Sequence, residues 1–308
     1  MNKVISLMGP TASGKTDLAI LLAQEFNLEI ISVDSVMFYK EFNIGSAKPK
    51  EEILAKFPHR MINILEPFEE YSVAKFYENL LLHIKEVHNK KKIPLLVGGS
   101  MMYFKTYFSG GLSDLKIVQN DIKKLIDDML SKNNLEFLYD YLKKIDIEFA
   151  KKIHFNDKYR IVRGLEIYFS NKKKPSEIIN YNLKEKKFFK NLNLSVIPNS
   201  RDNLHKNIEI RLDNMLAEGL LDEVNKLNFK YVGKKLPAMS TIGYKQANEF
   251  LQGKMNVKTM RSNILAATRQ LAKRQITWLR HIDATIVYEL LVYDNILIRV
   301  DKFVRKKI

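Results

Sequence analysis

The run Gly9-Pro10-Thr11-Ala12-Ser13-Gly14-Lys15-Thr16 constrains this chain more than any other segment, because G-x-x-x-x-G-K-T is the pattern of a loop whose backbone cradles phosphates. Its glycines reach conformations closed to other residues, so successive N–H groups turn inward onto an anion at the start of the next helix. Lys15 adds a positive charge, and Thr16 a hydroxyl suited to Mg²⁺. The flanks fit. Val4-Ile5-Ser6-Leu7-Met8 reads as a buried strand, and Asp17 to Glu25 carries apolar residues at helical spacing. The pattern specifies phosphate but not its carrier: two linked phosphates on a nucleotide and on a prenyl alcohol look alike to such a loop.

The next segments repeat strand and helix in the manner of a parallel sheet with crossover helices. Glu29 to Val33 predicts a second strand that delivers Asp34-Ser35 to its carboxyl end, where open α/β sheets place their active sites. A helix over Val73 to Asn89 leads to a third strand, Ile93 to Val97, then Gly98-Gly99-Ser100 and a helix from Met101 that Ser100 is able to cap. After Gly110-Gly111 the pattern turns helical as far as about Asn191, before a strand at Leu194 to Ile197. Helical patterns return over Asp202 to Leu227 and Lys258 to Leu279, and the tail after Ala284 is ambiguous. The expected architecture is an α/β, P-loop NTPase-like parallel sheet core with helices on both faces (1–111 and 192–308), interrupted by a mostly helical inserted subdomain (112–191).

Lys and Arg number 51 against 35 Asp and Glu, a net charge of +16 that favours a polyanionic partner, nucleic acid first. A lysine-rich proteome is the competing explanation. The clusters Lys143-Lys144, Lys151-Lys152, Lys172-Lys173-Lys174 and Lys184 to Lys190 fall in the middle third, away from the phosphate loop, as an extended contact surface would. With no cysteine and six scattered histidines, neither disulfides nor a structural zinc is expected. No apolar run suits a membrane span and the chain enters a strand almost at once, so a cytoplasmic protein is expected, monomeric by default.

At this point the chain resembles the bacterial tRNA dimethylallyltransferases. The resemblance rests on Gly9 to Thr16, Ile31 to Ser35, Ile44 to Pro49, Pro94 to Lys105, Ile153 to Asp157, Arg160 with Arg163 to Glu166, Pro237 to Gln246 and Ala267 to Arg280, in that order. It implies transfer of a dimethylallyl group from dimethylallyl diphosphate to the exocyclic amine of the adenosine just 3′ of the anticodon. The anticodon stem-loop of tRNA is the implied partner and Mg²⁺ the implied cofactor. Gly9, Pro10, Thr11, Ala12, Ser13, Gly14, Lys15 and Thr16 would hold the diphosphate, with Thr16 the metal residue. Asp34 is expected to take the amine's proton, its rivals being metal ligation and turn capping. Arg160 and Arg211 enter as catalytic arginines at phosphate. Residues expected to face tRNA are Asp34, Ser35, Val36, Met37, Ser100, Tyr159, Arg160, Ile161, Val162, Arg163, Ser240, Thr241, Ile242, Gly243, Tyr244, Lys245, Arg269, Lys273, Arg274 and Arg280. Phe155 stands where the family usually has proline, and Val36-Met37-Phe38 where many relatives carry glutamine, so Met37 or Phe38 packs either on a base or in the core. For the last helix, the plain alternative buries Leu271, Ile276 and Trp278 and leaves its arginines in water.

Two other function classes share parts of this pattern. A small-metabolite kinase would use the same loop, but the strand ending Leu96-Val97-Gly98-Gly99 lacks the acidic residue expected there, and a kinase leaves the basic insertion and the arginine-rich helix unexplained. A pure RNA-binding module leaves the phosphate loop idle.

Overall fold

A computed structural model describes residues 2–111, 118–181, 189–282, 286–289 and 293–305. The strands are β1 (Lys3–Met8), β2 (Leu28–Val33), β3 (His59–Arg60), β4 (Ile93–Gly98), β5 (Lys190–Ile197) and β6 (Ile286–Glu289). The helices are α1 (Lys15–Glu25), α2 (Glu51–Lys56), α3 (Val73–Asn89), α4 (Met101–Phe108), α5 (Asn120–Lys132), α6 (Leu135–Ile145), α7 (Ile147–Ala150), α8 (Lys158–Asn171), α9 (Pro175–Tyr181), α10 (Arg201–Ala217), α11 (Leu220–Lys230), α12 (Tyr244–Leu251), α13 (Val257–Leu279) and α14 (Tyr293–Arg305). They fall into two compact units, Met1–Lys105 with Phe188–Ile308, and Thr106–Lys187.

In the first unit all six strands run parallel in the order β3-β2-β4-β1-β5-β6. β1 and β2 are near-continuous apolar runs because a parallel sheet is covered on both faces. One face packs Ile5, Leu7, Ile30, Leu95, Val97, Leu194 and Val196 against Leu18 and Leu22 of α1 and Ile296 and Val300 of α14. By alternation Val4, Ile31, Val33 and Leu96 point to the other face, and they too are buried. Three strands then end at one level, since Met8 and Val33 both pair with Gly98. The phosphate loop, Asp34 and the Gly99-Ser100 turn therefore leave the sheet side by side.

Three features of the fold could not be read from the sequence. The strand at Ile93–Gly98 is the fourth rather than the third, because a two-residue strand precedes it, too short to carry any periodicity. β4 also lies between β1 and β2, so Asp34 is separated from the phosphate loop by one strand. The helical run over Asp202 to Leu227 is two helices, parted where Gly219 takes φ 98°, a left-handed conformation that ends α10 and starts α11.

The second unit is helical, α5 to α9, around Ile126, Leu138, Leu142, Ile161 and Leu165. Buried Asp146 accepts from the N–H of Phe149 through Oδ1 (3.0 Å) and of Ser176 through Oδ2 (2.7 Å), which joins α7 to α9. Asp157 caps α8 by accepting from Arg160 N–H at 3.0 Å, which gives the Ile153 to Asp157 segment its structural role. Of the Lys184 to Lys190 cluster, residues 184–188 lie outside the described residues, as do residues 112–117 at the expected start of the insertion and residues 283–285 and 290–292 of the tail.

Candidate active site

The carboxyl ends of β1, β2 and β4 open into a cavity of about 670 Å³, the size of sites that enclose whole small-molecule ligands. All of its lining belongs to the first unit. Thr11, Lys15 and Thr16 come from the phosphate loop, Asp34 to Met37 from the turn after β2, Ser100 from the start of α4, Arg211 from α10 and Arg274 from α13. Gly14 makes the loop's final turn at φ 77°, a conformation strained for any side chain, and so hands the chain into α1.

Two cations meet in this cavity. Burial, and then the neighbouring Arg211 guanidinium, pull the Lys15 ammonium down to about 8, partly offset by the Asp34 carboxylate. Arg211 is likewise held below its ordinary value by burial, with Asp34 acting in the opposite sense. Neither forms an ion pair among the described residues; Lys15 Nζ donates only to the Pro10 carbonyl, at 3.0 Å. Two desolvated cations that share one carboxylate, Asp34, and contact none directly are costly to hold together unless a further anion joins them.

Asp34 holds a turn with one oxygen: Oδ1 accepts from Val36 N–H (2.8 Å) and Met37 N–H (3.3 Å), while no described residue donates to Oδ2. The capping role thus coexists with a carboxylate oxygen left for other work. Ser100 Oγ accepts from the N–H of Ser35 at 3.2 Å and ties the ends of β2 and β4 together. Thr16 and Asp34 give the cavity two hard oxygen donors, and no cluster of three or more His, Cys, Asp or Glu exists among the described residues. Such a donor set fits Mg²⁺, which keeps waters and takes further ligands from substrate phosphates, and does not fit a cation needing an all-protein cage.

Of the residues expected at tRNA, Ser240, Thr241, Ile242 and Gly243 also line this cavity, whereas Lys245, Lys273 and Arg280 are exposed outside it. Tyr244 is corrected: it is fully buried, its hydroxyl donates to Glu223 at 2.6 Å, and it offers RNA no surface. Ile161 is corrected for the same reason, being a core residue of the second unit, with Val162 packed against that core. Tyr159, by contrast, is 79% exposed, and Arg160 beside it is exposed on the second unit and absent from the cavity lining that contains Arg211. Arg160 pairs with Asp157 at 3.4 Å, a surface ion pair that holds its arginine only weakly, and Arg163 with the largely buried Glu166 at 2.9 Å. Phe38 is core, against Tyr71, Phe76 and Tyr103, while Met37 faces the cavity. On α13, Leu271 and Trp278 line the cavity instead of the core, and Met260, Ile264, Leu265, Ala272, Gln275 and Leu279 are the buried set. Arg269 is half-buried, its Nε without a partner.

Two side chains that shape the cavity's loops escaped the sequence reading. Gln275 accepts from Thr11 N–H (2.9 Å) and donates to the Gly99 carbonyl (2.8 Å), so the Thr11 amide expected at phosphate is already engaged. Its signal was a polar residue at a core position, three after Ala272 and four before Leu279. Glu223 accepts from the N–H groups of Asn43 (3.0 Å), Ile44 (2.8 Å) and Gly45 (3.2 Å), fixing a second loop that lines the cavity through Gly45, Ser46 and Ala47. Nothing in its local sequence announces that contact, which spans 178 residues or more.

The family described as IPP transferase matches residues 37–282. A tRNA dimethylallyltransferase of Legionella pneumophila (strain Corby) is 42% identical over 291 residues, 94% of this chain and 92% of that one. One of Coxiella burnetii (strain Dugway 5J108-111) is 42% identical over 284 residues, 91% of each. Among solved structures, the full-length tRNA isopentenylpyrophosphate transferase of Bacillus halodurans superposes with a TM-score of 0.71 at 29% identity, covering 99% of this chain and 96% of that one. A eukaryotic dimethylallyltransferase described as acting on tRNA gives 0.84 at 29% identity, covering 99% and 80%.

Proposed function

The chain belongs to the IPP transferase family, and from that premise we propose how its own residues carry dimethylallyl transfer from dimethylallyl diphosphate to tRNA. The acceptor is the exocyclic N6 amine of the adenosine 3′-adjacent to the anticodon, and pyrophosphate leaves. The observation that carries the reading is the convergence of Lys15 and Arg211, two half-buried cations that form no ion pair among the described residues, with the Asp34 carboxylate, which keeps one oxygen free of described donors.

An allylic diphosphate reacts by breaking its carbon–oxygen bond, so negative charge grows on the departing diphosphate. Lys15, Arg211 and the loop amides beyond Thr11 stand where that charge develops, and preorganised donors of this kind are usually the largest catalytic contribution. Thr16 and Asp34 are the residues that would hold Mg²⁺, which would supply further Lewis-acid stabilisation of the leaving group. The adenine amine is a weak nucleophile because its lone pair is delocalised into the ring. Asp34 Oδ2 takes its proton as the new carbon–nitrogen bond forms. Ser35, Met37 and Ser240 to Gly243 surround the base in the same cavity, while Tyr159, Arg160 and Arg163 of the second unit and Lys273, Arg274 and Arg280 of α13 bind tRNA backbone and loop bases. A base held in a structured loop must be turned out to react, a cost of a few kcal/mol that these contacts offset.

The test incubates the purified chain with Mg²⁺, unmodified tRNA and labelled dimethylallyl diphosphate, then digests the RNA and separates its nucleosides, with ATP replacing the prenyl donor as control. Label in adenosine is the expected result. Absence of label, with phosphate passing from ATP to a metabolite, would sink the reading.

A further inference from the structure

We propose that Gln275 is a positioning residue of the diphosphate site: it orients the Pro10–Thr11 peptide and, through that peptide, sets where the Lys15 ammonium stands. The inference rests on the reading of the cavity as the prenyl diphosphate site.

A trans peptide is planar, so its N–H and C=O point in opposite directions and turn together. Here the two ends of one peptide unit have different partners. The Thr11 N–H donates to Gln275 Oε1 at 2.9 Å, and the Pro10 carbonyl accepts from Lys15 Nζ at 3.0 Å. Fixing the N–H therefore fixes the carbonyl that the lysine holds. The amide's other end, Nε2, donates to the Gly99 carbonyl at 2.8 Å, which anchors the same side chain to the carboxyl end of β4. A Cβ on Gly99 would sit 2.5 Å from Nε2 and 3.1 Å from the Gly9 carbonyl, so α13, the β4 turn and the phosphate loop meet here with no room for a side chain.

Gln275 has the properties such a role needs. It is only 8% exposed and lines the cavity, and its amide supplies one acceptor and one donor to two backbone groups that face it with opposite needs. A carboxylate would repel the Gly99 carbonyl, and an apolar side chain would leave both groups unpaired. The next residue toward the N-terminus, Arg274, lines the cavity as well. A single helical turn thus holds the phosphate loop from behind while presenting a cation to the ligand space.

The test compares wild type with Gln275→Met, which keeps length and removes both hydrogen bonds, and with Gln275→Asn as a second variant, whose shorter side chain keeps the chemistry but cannot span both partners. Three readouts are taken: the dissociation constant for inorganic pyrophosphate with Mg²⁺, the dissociation constant for unmodified tRNA, and KM for dimethylallyl diphosphate at saturating tRNA. Either variant should weaken pyrophosphate binding and raise that KM by about tenfold, the scale of losing one or two neutral hydrogen bonds, with tRNA affinity unchanged. Weakened tRNA affinity with intact pyrophosphate binding would overturn the proposal and make Gln275 an RNA contact; unchanged values in a folded variant would overturn it as well. A wild type that binds no pyrophosphate would overturn the functional reading itself, and with it this proposal, a result distinct from both.

Discussion

Two loops in this molecule gather backbone N–H groups at the edge of the same cavity, and they are completed in opposite ways. At Asn43 to Gly45 the anion is internal: Glu223 accepts from all three amides and from the hydroxyl of buried Tyr244. At the phosphate loop no internal carboxylate plays that part, and Lys15 and Arg211 stand together without an ion-pair partner. The first arrangement is finished when the chain folds, so it serves shape. The second leaves two cations against the single carboxylate of Asp34, a positive excess that the fold itself does not pair off, which is the electrostatic form of a site for a polyanion.

The contrast can be broken most severely at Asp34. Asp34→Asn keeps an oxygen for the Val36 and Met37 amides, so the turn should survive, while the proton acceptor is lost. Single-turnover transfer should fall by roughly 10²- to 10⁴-fold with tRNA affinity preserved; near-normal transfer would return Asp34 to the turn-capping role alone. Next come the cations. Lys15→Met or Arg211→Gln should each slow single-turnover chemistry on the order of 10²-fold, the scale of deleting one preorganised donor, and Arg211→Gln with unaltered kinetics would remove that residue from the site. The smallest effect on chemistry is expected at the internally completed loop. Glu223→Gln places amide hydrogens against N–H donors, and should cost about 1–3 kcal/mol of stability, read by denaturant unfolding, with diphosphate affinity little changed. A large loss of diphosphate affinity there, at unchanged stability, would erase the distinction between the two loops.

The same contrast explains what could be read in advance. The phosphate loop is local: strand, glycines, lysine and helix are contiguous, and each residue's role follows from its neighbours. Asp34 was legible because it ends an apolar run. The Glu223 loop was not, because its parts come from distant stretches of chain and nothing near Glu223 marks it. Gln275 lay within a recognised helical segment, yet its importance is tertiary, a polar side chain at a buried register position facing two backbone groups. Tyr244 and Ile161 show the reverse error: each sits in a segment expected at RNA, but helical periodicity turns both inward. The strand order was also beyond local reading, since β4 enters between β1 and β2 from sixty residues downstream of β2.

The central claim, that Lys15 of the phosphate loop and Arg211 of α10 stand together for the prenyl donor's diphosphate, meets its most direct test in equilibrium binding of dimethylallyl diphosphate between pH 6.5 and 9.5 (roughly 1.5 pH units either side of the Lys15 value), in wild type and Lys15→Met. In the free protein Lys15 is held down to about 8 by burial and by Arg211. A bound diphosphate favours its charged form and raises that value, so binding takes up a proton once the pH exceeds about 8. Wild-type affinity should therefore hold steady below about 8 and then fall as the pH rises, while the Lys15→Met profile stays level across the same range. Profiles of the same shape in both proteins, or a wild type whose affinity rises above that pH, would contradict the account.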